Sequence, residues 1–285
     1  MVADLRTPRE ARAGKRFVNR EGNGHRPCVV CSGATEIALY CTVGAIDYVQ
    51  CRRCRLVYVD RLASDDAMRG AYSGGVIRKL RRRLMAPFRK LRHHKHFAQS
   101  MERARRIYAF ASSRVDRNGE TIRFLDIGCN RGYLLAAAIE RGAQVYGIEL
   151  VREITLPFRN TYPELRDRIY SEKLSQVAPR LDSGSFDLIT AIDVVEHFED
   201  PVEDMRQIHR LLKVGGAAVL QTPDAGCEQA KATGAAWGAL KPLEHLHLFN
   251  RENFAAFAKA IGFRAAETHE PFEHADGNFV VVLKK

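Results

Sequence analysis

The chain has 285 residues, 46% hydrophobic and 28% charged, which fits a folded protein with one sizeable α/β core and a smaller module. It has no run of about 18 apolar residues and no apolar leader, which excludes a membrane-spanning helix and a secretory signal and implies a cytoplasmic location. The net charge of +11 is unevenly spread: residues 1–120 hold 26 Lys/Arg against 11 Asp/Glu, and the remainder holds 19 against 23. A basic front of this kind is expected to meet something anionic, whether nucleic acid, a membrane surface or a phosphorylated substrate.

Residues 1–27, rich in Arg, Gly and Asn without apolar periodicity, read as a mobile tail. Two identical pairs follow, Cys28-Val-Val-Cys31 and Cys51-Arg-Arg-Cys54. Each pair offers two thiolates from one tight knuckle, and two knuckles complete a tetrahedral shell around zinc. The spacing between the pairs suits a hairpin, so residues 28–60 are predicted to be a zinc ribbon with Cys28, Cys31, Cys51 and Cys54 as ligands. A shell filled by four thiolates leaves no open position for catalysis, so the metal is structural. Cys41, Cys129 and Cys227 are scattered and read as ordinary buried or half-buried residues.

Residues 61–120 form a basic helical segment. Leu56-Val-Tyr-Val59 reads as a short strand, and Ser64-Asp-Asp66 as a helix start. In Arg78–Lys95, nine of 18 residues are Lys or Arg, while Ile77, Leu80, Leu84, Phe88 and Leu91 follow one helical face. Pro87 kinks or divides that helix. Its apolar stripe either packs on the core beneath solvated arginines or forms a basic amphipathic surface for anionic lipid, a lipid-linked substrate or RNA. A second helix is expected over Phe97–Arg114.

From Thr121 onward strands and helices alternate: strand Thr121–Ile127, helix Tyr133–Arg141, strands Gln144–Ile148 and Phe186–Ile192, helix Pro201–Leu212, then strand Ala217–Thr222. Such alternation implies a parallel, doubly wound sheet. Two late apolar runs, Phe263–Thr268 and Asn278–Leu283, suit a terminal antiparallel pair at one edge.

In such a sheet, ligands bind at the carboxyl ends of the strands where their order reverses. The first strand ends at Asp126 and runs into Gly128-Cys-Asn-Arg-Gly132, with a helix beginning at once. A dinucleotide loop would need glycine at Asn130 and Tyr133, so a pyrophosphate cradle is not expected. The loop suits a nucleoside whose tail carries no phosphate, and Glu149 at the next strand end can accept hydrogen bonds from both ribose hydroxyls.

Phe124-Leu-Asp-Ile-Gly-Cys-Asn-Arg-Gly132, Tyr146-Gly-Ile-Glu149, the run Phe186–His197 and Leu212-Lys-Val-Gly-Gly216 together resemble the successive signatures of the class I S-adenosylmethionine-dependent methyltransferases. The resemblance implies a seven-stranded Rossmann-like sheet with a reversed terminal hairpin over residues 121–285, preceded by the small zinc ribbon and helical linker. It implies that Asp126, Gly128 and Gly132 hold the methionine moiety, that Glu149 binds the ribose, and that the loop Ala191–Val194 lines the sulfonium. Asn130, Leu150, Ala191, Ile192 and Asp193 complete the expected cofactor-lining set. The stretch Cys51–Asp60 is similar to the front of a bacterial subgroup with an N-terminal zinc ribbon, whose members methylate sugars and other small metabolites.

A hydroxyl acceptor benefits from a base able to take its proton. The catalytic candidates are His197, after the fourth strand, and His245 and His247, within Pro242-Leu-Glu-His245-Leu-His247-Leu-Phe249. In an extended segment the last two share a face. Asp193-Val-Val-Glu196-His197 also resembles the element with which ubiquinone-pathway O-methyltransferases bind a divalent ion, which here would be magnesium on Asp193 and Glu196. The expected partner is a small-molecule or glycan acceptor. The rival readings are an rRNA or tRNA methyltransferase whose basic zinc-ribbon front holds RNA, and a non-catalytic binding module. The sequence does not specify the oligomeric state.

Overall fold

A computed structural model of the protein describes residues 26–31, 36–63, 89–116, 120–272 and 277–285, with the side chains of residues 89–96 outside that description. The tail up to residue 25, the predicted helix start at Ser64–Asp66 and the basic stretch 78–88 with Pro87 fall outside the described residues.

Near-continuous apolar runs become the buried inner strands of one seven-stranded sheet, whose two edge strands are more exposed. In chain order they are β4 (Arg123–Ile127), β5 (Gln144–Ile148), β6 (Ile169–Tyr170), β7 (Phe186–Ile192), β8 (Leu212–Pro223), β10 (Ala265–His269) and β11 (Asn278–Lys284). Their spatial order is β10-β11-β8-β7-β4-β5-β6. Strands β4 to β8 are parallel, whereas β11 runs antiparallel to β8 and β10 antiparallel to β11. The chain leaves β4 outward to β5 and later returns to β7 on the other side. The strand order therefore reverses between β4 and β7, and the carboxyl ends of these strands are where a doubly wound sheet takes its ligand.

Helices cover both faces. The helix Pro201–Leu211 starts because the Asp200 side chain accepts the Glu203 backbone N–H and Pro201 is already set for the first turn. It buries Met205, Ile208 and Leu211 at helical spacing. Residues 89–112 form one helix with no break between Lys95 and Phe97, so the two helices expected there are continuous over this span. Its buried Ala104, Ile107, Tyr108 and Ala111 pack with Phe124, Leu134 and Leu135. Among the described residues, no helix is long and apolar enough to cross a membrane.

A second sheet has four strands in the order β1-β2-β3-β9. The hairpin of β1 (Ile37–Val43) and β2 (Ile46–Cys51) turns at Gly44, whose φ of 64° favours glycine. Next to β2 lies β3 (Val57–Val59), and beyond it β9 (His247–Leu248), which comes from the far end of the chain. Alternate residues of this sheet enter different cores. Val49, Cys51 and Tyr58 join Phe198, Phe249 and Phe254, while Tyr48, Val57 and Val59 join Trp237, Leu240 and Leu246. The boundaries expected at residues 60 and 120 are thus crossed by a shared sheet and two shared cores.

Candidate functional site

At the end of β4 the chain must turn within two residues and leave room above the sheet. Gly128 does this at φ 76°, its backbone N–H donating to Ile148 O at 2.8 Å. A Cβ on Gly128 would stand 2.4 Å from Val194 Cγ2, and one on Gly132 (φ 77°) 2.4 Å from Phe158 Cδ2. Both positions therefore require glycine for conformation and for space. Asn130 takes a left-handed φ of 48°, which asparagine tolerates better than most residues.

Asp126 is buried, and its carboxylate Oδ1 accepts the Thr190 hydroxyl at 2.7 Å from the adjoining strand β7. Burial pushes its carboxyl up to about 7, while the Thr190 hydrogen bond opposes the shift. Glu149 closes β5, and the Asn130 and Val151 backbone N–H groups donate to its carboxylate at 3.1 and 3.0 Å. A loop N–H that a dinucleotide fold would offer to phosphate is thus already given to a carboxylate. This arrangement suits a polyol or a cation and opposes a pyrophosphate. Leu150 beside it is about half exposed, an apolar ledge at the crevice rim.

The end of β7 is the third side. Ala191 is buried, Ile192 half-buried, and Asp193 has a left-handed φ of 58°. The Asp193 carboxylate Oδ1 accepts Gln221 Nε2 at 2.9 Å and Asn278 Nδ2 at 3.0 Å, and Arg103 Nη2 lies 3.7 Å from its Oδ2. Arg103, Thr190, Gln221 and Asn278 were not among the residues picked out from the sequence. Only Thr190 carried a signal, as a polar residue inside an apolar strand.

Glu196, His197 and His245 come together, each with a potential ligand atom within 4.8 Å of the others. Glu196 is fully buried and accepts the Thr222 hydroxyl at 3.0 Å; burial, then the nearby Asp193 charge, raises its carboxyl to about 8. The His197 and His245 rings meet edge to face at 4.9 Å. His197 Nδ1 lies 2.7 Å from Glu244 O and His245 Nδ1 lies 2.8 Å from Ala239 O. A carbonyl only accepts, so both Nδ1 atoms carry hydrogen and the lone pair of His245 sits on Nε2. Burial and then the His197 charge hold His245 down to about 3, and burial also lowers His197.

His247 lies further along the same segment, in the two-residue strand β9, while Leu246 and Leu248 on either side of it enter one buried cluster. The His247 ring is fully buried, with Nε2 at 3.4 Å from Arg26 Nη2 and its ring tilted against Phe249.

The four cysteines form the compact group expected of them. Cys28 and Cys54 sulfurs are 3.5 Å apart, Cys31 and Cys51 sulfurs 3.9 Å, and all four lie within 4.8 Å. Sulfurs about 2.3 Å from a tetrahedral zinc are separated by roughly 3.8 Å, so the donor set fits that ion. A hydrogen bond from Cys54 pulls the Cys28 thiol down to about 5, while the same bond raises Cys54.

The donors fit magnesium poorly. The Asp193 carboxylate is engaged by two amides and faced by a guanidinium, and Glu196 has two imidazoles as neighbours instead of the oxygen cage magnesium prefers.

The sequence profile of the methyltransferase-domain family matches residues 78–268 of this chain. A ubiquinone biosynthesis O-methyltransferase from Pseudomonas paraeruginosa is 34% identical over 110 residues, spanning 36% of this chain and 44% of that protein. The same-named protein from Xanthomonas oryzae pv. oryzae is 34% identical over 114 residues, spanning 40% and 47%. The chain thus spans under half the length of the curated relatives it matches. Among solved structures, the 1,6-didemethyltoxoflavin-N1-methyltransferase of Burkholderia thailandensis, with bound 1,6-didemethyltoxoflavin and S-adenosylhomocysteine, has a similar fold. It aligns at a TM-score of 0.51 and 18% identity, covering 84% of this chain and 95% of that one.

Proposed function

The chain belongs to the methyltransferase-domain family, and we propose that it is an S-adenosylmethionine-dependent methyltransferase acting on a hydroxyl of a sugar, glycan or other small metabolite. The observation that carries this reading is the cluster of Glu196, His197 and His245, which follows directly on the end of β7 that borders the β4–β7 switch point. The curated relatives are named O-methyltransferases, which supports oxygen as the atom methylated.

In this reading Asp126, Gly128, Asn130 and Gly132 surround the amino-acid end of the cofactor. Glu149 takes the ribose hydroxyls, Leu150 covers the base, and Ala191, Ile192 and Asp193 line the sulfonium. S-adenosylmethionine supplies an electrophilic methyl group: the acceptor oxygen forms the C–O bond as the C–S bond breaks and the electron pair stays on sulfur. This chain's contribution is alignment and proton management. Oriented reactants account for much of the barrier reduction in such displacements. His245 Nε2 receives the hydroxyl proton as the new bond forms, and Ala239 O steadies the ring through Nδ1. His197 flanks that ring and Glu196 backs both, so these three shape the acceptor side. His247 serves packing. Zinc on Cys28, Cys31, Cys51 and Cys54 holds the ribbon and takes no part in the transfer.

The test is incorporation of a labelled methyl group. Full-length chain with methyl-labelled S-adenosylmethionine and cell extract is expected to place label in the small-metabolite or glycan fraction. Label appearing in RNA instead would overturn the acceptor class and favour the nucleic-acid reading. Absence of S-adenosylhomocysteine binding would overturn the cofactor assignment itself.

A further inference from the structure

We propose that the four-cysteine ribbon is the rear wall of the acceptor site, and that Tyr48 is a positioning residue that sets His245. This rests on the reading above of His245 as the acceptor-side base. A ribbon that only recruits a partner would keep its own strands and touch the catalytic sheet at its edges. Here the contacts are of another kind.

Tyr48, in β2, is fully buried, and its hydroxyl donates to the His245 backbone carbonyl at 2.7 Å. Val59 of β3 donates its backbone N–H to Leu246 O at 3.0 Å, and β9 pairs with β3 so that Tyr58 faces His247 and Val57 faces Leu248. Leu246 in turn donates its backbone N–H to Glu196 O at 2.7 Å. His245 is therefore held from both sides, by ribbon strands on one and by the Glu196–His197 turn on the other. The metal-ligand loop is tied in as well, because Asn253 Nδ2 donates to Cys54 O at 3.2 Å.

Leu246 and Leu248 also share a buried cluster with Tyr48, Val57, Val59 and Trp237. The segment on either side of His245 thus borrows its backbone partners and its apolar cover from the ribbon. An imidazole whose Nδ1 must reach one carbonyl keeps its aim only while its own backbone stays fixed. Loosening the ribbon should move His245 and His197 and leave the glycine loop at Gly128 in place.

The experiment uses the full, metal-loaded chain and reads histidine ring signals by NMR, assigned by substitution, at one fixed pH. Tyr48→Phe keeps the ring in its pocket and removes only the donor. It is expected to shift the His245 and His197 signals while His209 and His269 stay put. S-adenosylhomocysteine affinity should remain within about twofold, because the hydroxyl that is removed bonds the His245 carbonyl and not the glycine loop. Extraction of the metal with a chelator should disturb the same two histidines, more strongly. Unmoved His245 and His197 signals in both experiments would overturn the proposal. Movement of all four histidines with loss of cofactor affinity would also overturn it, because the ribbon would then be a general folding element. Failure of wild-type chain to bind S-adenosylhomocysteine would sink the functional reading while leaving the histidine shifts to be judged on their own.

Discussion

Replacing Gly128 by alanine tests the cofactor crevice most directly, because Gly142 offers a matched control. Gly128 and Gly142 have nearly the same left-handed φ, 76° and 78°. A Cβ at Gly142 would meet nothing within 4 Å, whereas at Gly128 it would lie 2.4 Å from Val194 Cγ2. The conformational cost, about 1–2 kcal/mol, is common to both substitutions. Carbon atoms rest about 3.5–4.0 Å apart, so only Gly128→Ala forces Val194 or the loop to move by more than about 1 Å. Overpacking of that kind costs a further 1–3 kcal/mol or so. Val194 follows Asp193, so the displacement reaches two sides of the crevice at once. Gly142→Ala should lose about 1–2 kcal/mol in urea denaturation and keep its S-adenosylhomocysteine affinity. Gly128→Ala should lose roughly 2–5 kcal/mol and bind the same ligand at least about tenfold more weakly, or 1.4 kcal/mol, by calorimetry. Equal affinity in the two folded variants would refute the placement of the cofactor over this loop.

Glu149→Gln turns one acceptor into a donor facing backbone N–H groups, so a loss of about 1–3 kcal/mol in ligand affinity is expected by calorimetry. Burial raises the Asp126 carboxyl to about 7, so the folded chain keeps a proton that the unfolded chain has released. That stabilisation is full below about pH 4 and is lost as pH rises through 7, and denaturation midpoints for Asp126→Asn should be flatter across that window than for wild type. His245→Gln should leave S-adenosylhomocysteine binding intact and slow turnover about 10²–10⁴-fold, whereas His247→Gln should chiefly lower the melting temperature; the reverse pattern would exchange their roles. One zinc per chain is expected by elemental analysis, and Cys51→Ser should lose it together with thermal stability.

What could be read from the sequence was local. Asp126, Gly128, Gly132 and Glu149 sit at strand ends and in a tight turn, where a few consecutive residues dictate both backbone and exposure. The two cysteine pairs were legible for the same reason, since each knuckle is built from neighbours. What could not be read is supplied by distant strands: Thr190 against Asp126, Gln221 and Asn278 against Asp193, and Tyr48 against His245. No periodicity encodes which strands become neighbours. The long helix is continuous back to Arg89, although the run His93–His96 offers no apolar stripe that would join its two halves in the sequence.

Closure of the four-stranded sheet by β9 also dictates an order of events during synthesis. Tyr48 and its acceptor carbonyl are 197 residues apart in the chain. A ribosome adding roughly 5–20 residues per second therefore leaves the ribbon without its fourth strand for about ten to forty seconds. Closing a loop of that length costs on the order of 5 kcal/mol in chain entropy, which the hairpin alone does nothing to offset. During that interval Val57 and Val59 present an open strand edge, the kind of surface that pairs with the wrong neighbour. Early capture of a metal by the four cysteines would keep the hairpin folded while it waits. The cysteine knuckles would then guard the nascent chain first and complete the finished enzyme second.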